Sequence, residues 1–218
     1  VKHLHLVLMF LGLCVLSGSA YSISPALHGV VASSQITPAT IPDLAAWYDA
    51  ADASTITQSA GLVSQWDDKS GNGNHATQGT GSKQPFTGIN TINEKNVLYF
   101  PDTADQYMSA PDAIIDISAQ NFTIFSVAQY TGVSTFHDAW GWSSSGSAGI
   151  RSENDGTNMR YYPSEIIGTG GIPLGSQSVA NITTLRINGL SDRQAYYNGV
   201  LKKSGTGIAV AAANQFTI

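Results

Sequence analysis

Residues 61–78 read GLVSQWDDKSGNGNHATQ, and they limit the fold more than any other stretch. A short apolar lead-in, Leu62 and Val63, reaches Trp66, and the run from Asp67 to Asn74 then carries no apolar side chain. Glycine enters positive φ freely and asparagine does so better than most residues, so this run predicts a sharply folded loop. A tight polar loop beside a lone indole needs a rigid sheet beneath it. Trp66 is predicted to be the buried anchor and the loop its cap.

The rest of the composition agrees with a sheet protein. Hydrophobic residues make up 42% of the 218, enough for a real core, while charged residues are only 11%. That is well below the roughly 25% usual in globular domains. The surface is therefore expected to be built from Ser, Thr, Asn, Gln and Gly. With 10 Lys and Arg against 15 Asp and Glu, and no basic run beyond Lys202-Lys203, nucleic acid is not an expected partner. The single cysteine, Cys14, excludes a disulfide framework or a cysteine-based metal site in the body of the chain.

Residues 1–20 have the pattern of a secretory signal peptide: Lys2, an apolar run over 4–16, and the small residues Gly18, Ser19 and Ala20. The run is short for a membrane span, and none is expected once such a leader is removed. Residues 21–40 are a lead-in rich in Ser, Pro and Thr, and the folded domain is predicted over 41–218. Within it, short apolar segments alternate with turns and no long helical repeat occurs. Strands are predicted at 97–100, at Tyr107-Met108, at 136–142 with 148–151, and at 159–162. The clearest is FTIFSVAQY (122–130), apolar on both faces and so expected inside a sheet rather than at its edge. Asn198-Gly199 between apolar residues predicts a two-residue hairpin, because a type I′ turn needs two positive-φ positions. A last strand is predicted to begin within 208–218 and the domain to lack its closing strands.

Taken together, LAAWYDADASTIT (44–57), VSQWDDKSGNGNHATQ (63–78), VLYFPDTADQYM (97–108), FTIFSVAQY and AYYNGV (195–200) resemble the laminin-G-like, concanavalin-A-like jelly-roll family of bacterial surface and phage structural proteins. The resemblance implies an all-β, two-sheet antiparallel sandwich. It implies a role in carbohydrate recognition, in adhesion, or as an accessory or virion domain, and calcium sites are familiar in the family. Fold alone does not fix which.

Catalysis is not expected. Glycoside hydrolysis needs two carboxyls about 5–9.5 Å apart, and the glutamates Glu94, Glu153 and Glu165 form no clustered strand. There is no GxSxG elbow, and His75 and His137 sit in turn-like settings. Asp68, Ser70, Asn72 and Gly73 match the start of a calcium-binding loop, but Gly79 stands where its bidentate glutamate would be. A looser calcium site at Asp67, Asp68 and Asn72 is weighed against a cluster in which those side chains bind their own backbone. For a sugar ligand the candidates are Trp140, Trp142, Tyr161, Tyr162 and Tyr196. Trp140 and Trp142 are two apart in a strand and so share a face, which is a ligand platform if it points outward and core if inward. The leading expectation is a non-catalytic recognition or adhesion domain, secreted or on the cell surface, whose partner is a glycan or a surface protein. The alternatives are a structural module of a phage tail, fibre or capsid, located in the virion, and an accessory domain of a secreted glycan-processing enzyme.

Overall fold

The computed structural model describes residues 4–8, 37–101, 106–111, 114, 121–130, 137–144, 147–154, 158–162, 172–173, 179–206 and 215–218. Among them the chain is all-β, and its helical pieces are three single 3-10 turns. In chain order the strands begin with β1 (Leu4–Leu8), β2 (Leu44–Tyr48), β3 (Ile56–Ser59), β4 (Leu62–Trp66), β5 (Ala76–Thr77), β6 (Thr91–Ile92), β7 (Lys95–Asn96) and β8 (Ser109–Ala110). They continue with β9 (Asn121–Ala128), β10 (His137–Ser144), β11 (Ser147–Asn154), β12 (Asn158–Tyr162) and β13 (Ile172–Pro173). The last four are β14 (Asn181–Asn188), β15 (Asp192–Tyr197), β16 (Val200–Gly205) and β17 (Gln215–Thr217).

A six-stranded sheet has the order β16-β15-β14-β9-β1-β2, and a nine-stranded sheet the order β13-β12-β11-β10-β17-β8-β5-β4-β3. β6 and β7 form a separate hairpin. Every pairing between these strands is antiparallel except those of β1, which runs parallel to both β2 and β9. The segment predicted as a leader thus supplies a strand in the middle of the six-stranded sheet.

Period-two alternation sets the faces of this sheet. In β14 every second residue from Asn181 to Ile187 is buried, and Thr183, Leu185 and Ile187 stand opposite Ser126, Ile124 and Phe122 of β9. The two hydroxyls of that set, Ser126 and Thr183, bond each other at 2.7 Å, so neither is buried without a partner. β9 lies between β1 and β14, the interior position its two apolar faces predicted. The β15–β16 turn is built on Asn198 (φ 50°) and Gly199 (φ 75°), as the Asn-Gly pair predicted. Ala60 and Gly61 do the same between β3 and β4 with φ of 51° and 84°, although alanine gives no such signal.

Buried side chains of both large sheets form one cluster. Tyr48, Phe122, Ile124 and Leu185 come from the six-stranded sheet, and Val63, Trp66, Trp140 and Phe216 from the nine-stranded one. Full burial of a side chain of this size contributes about 1.5–3 kcal/mol. Trp66 is 4% exposed and its ring lies 5.3 Å from that of Tyr48, tilted by 45°. The anchor role predicted for this indole is the one it has.

Two predicted strands are corrected. Residues 97–100 form no ladder: Tyr99 makes a single bridge with Phe86, while Val97 and Leu98 are buried by their apolarity alone. Tyr107-Met108 is likewise outside any strand, although Met108 exchanges backbone hydrogen bonds with Ile218, and the strand follows at β8. The β9 strand also stops at Ala128, two residues short of the predicted end.

Candidate functional site

The two ends of the six-stranded sheet carry the two most developed polar clusters among the described residues. At one end β2 is the edge strand, and the loop 67–75 lies against it. Asp68 is 7% exposed and its carboxylate accepts four hydrogen bonds. Oδ1 takes the Trp47 and Ser70 backbone N–H groups, both at 2.8 Å. Oδ2 takes the Ser70 hydroxyl at 2.7 Å and the Asn74 N–H at 3.1 Å. The asparagine amides face the strand as well. Asn72 Nδ2 donates to the Leu44 and Ala45 carbonyls at 2.7 and 3.1 Å, and Asn74 Nδ2 to Ala45 O at 2.9 Å. Lys69 N donates to Trp47 O at 2.8 Å, and the Tyr48 hydroxyl donates to Asn74 O. Burial, and then the Asp68 charge, push the Tyr48 phenol far above its ordinary pKa, so it remains a donor.

Beside this loop, Lys69 Nζ reaches Asp49 Oδ2 at 3.0 Å and Asp52 Oδ2 at 2.7 Å, and stands 4.4 Å from the centroid of the Trp47 ring. The Lys69 hydrogen bond, followed by that from the Ser54 hydroxyl, lowers Asp52 to a pKa of about 2. His75 Nδ1 accepts the Asp68 N–H at 3.1 Å, which puts the ring proton on Nε2. Asp67 Oδ1 lies 3.3 Å from the same nitrogen. Every one of these bonds ends inside the protein. An edge strand exposes unpaired N–H and C=O groups that invite other chains, and here side chains occupy them.

For Asp68 the expected calcium role is corrected on this geometry. A calcium ion takes about six to eight oxygens with lone pairs to spare. Asp68 has none, Asp67 Oδ1 accepts from Gln65 Nε2 at 2.7 Å, and Asn72 turns its amide nitrogen to the strand. Among the described residues no group of three or more His, Cys, Asp or Glu side chains is placed to hold a metal ion.

At the other end the sheet is open. Its core face carries Arg193, Ala195 and Tyr197 of β15, so Asp192, Gln194 and Tyr196 belong to the opposite face, with Thr184 and Arg186 of β14 beside them. There Arg186 Nη2 donates to Asp192 Oδ2 at 2.9 Å, and Nη1 donates to Asp192 Oδ1 at 3.3 Å and to Gln194 Oε1 at 2.9 Å. The Tyr196 hydroxyl donates to the same Gln194 oxygen at 2.6 Å, and Asn188 Nδ2 to Asp192 Oδ2 at 2.9 Å. That hydrogen bond from Asn188, together with the Arg186 charge, holds the Asp192 carboxyl below the usual range. The side chains of Arg186 and Asp192 are 36% and 39% exposed. A planar cation, two amides and a carboxylate are therefore linked to one another and to a phenol hydroxyl, half open to solvent.

Apolar groups border this end of the sheet. Val179, Ile182, Val200 and Leu201 are all exposed, around the turn where Asn198 bonds the backbone of Ile182 in both directions.

Among the predicted sugar-binding residues, Trp140 is corrected. Trp140 is 1% exposed and packs in the core, so the expected outward pair fails at this residue. Its strand meets its neighbour β11 with register shifts on both sides of Trp140-Gly141. Trp142 pairs with Phe216 of β17, and Tyr161 and Tyr162 lie in β12, but their side chains fall outside the described residues. Among the candidates with described side chains, Tyr196 stands in a half-exposed polar setting. Its partners Arg186, Asp192 and Gln194 carried no sequence signal, because only the β14–β15 register brings them together. Comparison with family models, with characterised proteins and with solved structures finds no match to this chain.

Proposed function

We propose that this protein is a non-catalytic recognition domain that binds carbohydrate on the outer face of the six-stranded sheet, at Tyr196. The observation that carries the reading is the fixed network of Arg186, Asp192, Gln194 and Asn188 around the phenol. Sugars present hydroxyls that need both donors and acceptors, and C–H faces that favour an aromatic ring. A guanidinium, a carboxylate and amides held by one another lose little side-chain entropy on binding. A jelly-roll sandwich of the concanavalin-A-like kind, displayed outside the cell, fits this use.

The test is a glycan array probed with the full chain and with Tyr196→Ala. Selective binding that the substitution abolishes supports the reading, and absence of binding by the folded protein refutes it. A second reading, a structural module with protein neighbours as in a virion, draws support from exposed Val179, Ile182, Val200 and Leu201. It predicts self-association or partner capture that Leu201→Asp removes, with no response to any glycan.

A further inference from the structure

The strand register places three rings in one line. Tyr196 of β15 stands opposite Thr184 of β14, Thr184 opposite Phe125 of β9, Phe125 opposite Val7 of β1, and Val7 opposite Trp47 of β2. Residues paired in this way stand level across the sheet, and the backbone of β1 carries the line from Phe125 to Trp47. The core side of these strands is fixed by Tyr197, Leu185, Ile124 and Tyr48, all buried, so the row lies on the other side. Tyr196, Phe125 and Trp47 are each half-buried there. Sheet order makes the spacing regular: one ring on every second strand. Adjacent strands are about 4.8 Å apart, so the rings recur at about 9.6 Å.

A parallel row lies one side-chain repeat along the strands. Gln194 pairs with Arg186, and Arg186 with Thr123. Thr123 is buried, so beside the ring row a half-exposed polar pair, Gln194 and Arg186, covers the β15–β14 end of the sheet.

From this geometry we infer that the ligand is an extended 1,4-β-linked glycan lying across the strands, an inference that rests on the carbohydrate reading above. In such a chain alternate sugars are turned over, and the same face returns every second residue at close to the spacing of the rings. A 1,4-α or 1,3-β chain curves and loses the register after one ring. C–H faces meet the rings while hydroxyls reach Gln194 and Arg186. Sheet twist turns successive strands by about 20–25°, so the rings rotate along the row and suit a single free chain better than a flat crystalline surface. Lys69 stands over the Trp47 ring, so Tyr196 and Phe125 supply the main stacking and Trp47 closes the row.

The test is titration calorimetry of the full chain with soluble 1,4-β-linked oligosaccharides of increasing length, beside 1,3-β and 1,4-α series. Three rings on alternate strands span about five sugars. Affinity is expected to rise about tenfold or more from two sugars to five, then level off. Phe125→Leu should abolish the gain with length and Phe125→Tyr should keep it; if Phe125→Leu does not fold, Tyr196→Leu gives the same readout from the row's end. Binding of glycans with no dependence on length, or equal binding of the other linkages, overturns the extended-chain inference while the recognition reading stands. No carbohydrate binding at all overturns both.

Discussion

The two ends of the six-stranded sheet have similar ingredients and opposite designs. Each sets charged and amide side chains next to an aromatic ring, Trp47 at the β2 end and Tyr196 at the β15 end. At the β2 end the side-chain hydrogen bonds of Asp68, Asn72 and Asn74 go to the protein's own backbone and to the Ser70 hydroxyl within the same loop. At the β15 end Arg186, Asp192 and Gln194 bond only each other and nearby side chains, and their outer surfaces stay open. The first arrangement closes a sheet edge. The second keeps polar groups oriented for something else. What decides between structure and recognition is where the hydrogen bonds end, and residue type says little about it.

The largest expected effect separates the ends by stability. Asp68→Ala leaves four donors without an acceptor and should destabilise the fold by about 3 kcal/mol, seen as a lower urea midpoint at unchanged slope. Arg186→Ala removes only half-exposed bonds and should change stability by less than about 1 kcal/mol. Its effect belongs to binding: glycan affinity should fall about tenfold, and a titration on the two variants would show whether the two losses separate in this way.

A smaller effect concerns acid. Asp52 has its folded pKa lowered from 3.8 to about 2, chiefly by the Lys69 hydrogen bond. Its contribution is therefore complete above the unfolded value and is lost as pH falls through about 2. The carboxylate is 35% exposed, so the change is modest and confined to the β2 end. Thermal melts between pH 4.5 and 1.5, as a rough bracket of that window, should show a steeper acid decline for the parent than for Asp52→Asn. Smallest of all, a chelator should leave both stability and glycan binding unchanged, because Asp68 has no lone pair left for calcium; a fall in melting temperature on chelation would reverse that correction.

Much of the fold could be read from local pattern. Asn198-Gly199 announced its turn because few residue pairs accept two positive φ values in succession. Trp66 announced the anchor, and the two apolar faces of 122–130 announced an interior strand. The roles of the polar residues were not legible in the same way. Asp68 reads as a ligand for a cation until its partner is known, and that partner is the backbone of Trp47, 21 residues away. Trp140 and Trp142 read as a pair from period two, but that period does not say which face meets the core, and Trp140 is buried. The ring row depends on alignments between Trp47, Phe125 and Tyr196, far apart in the chain, that no local signal encodes. Leu4–Leu8 shows the same limit from the other side. An apolar run satisfies both a secretory leader and a central strand, and its pairing with β2 and β9 is carried by residues far away in the sequence.

The most direct test of the contrast between the ends is backbone amide NMR of the labelled full chain, titrated with a soluble 1,4-β-linked oligosaccharide. The account predicts shifts concentrated at Arg186, Gln194, Tyr196 and Phe125, with Ser70 and Asn74 unmoved. Shifts concentrated in the 67–75 loop would contradict it, and would make the sequence's most conspicuous loop the binding site after all.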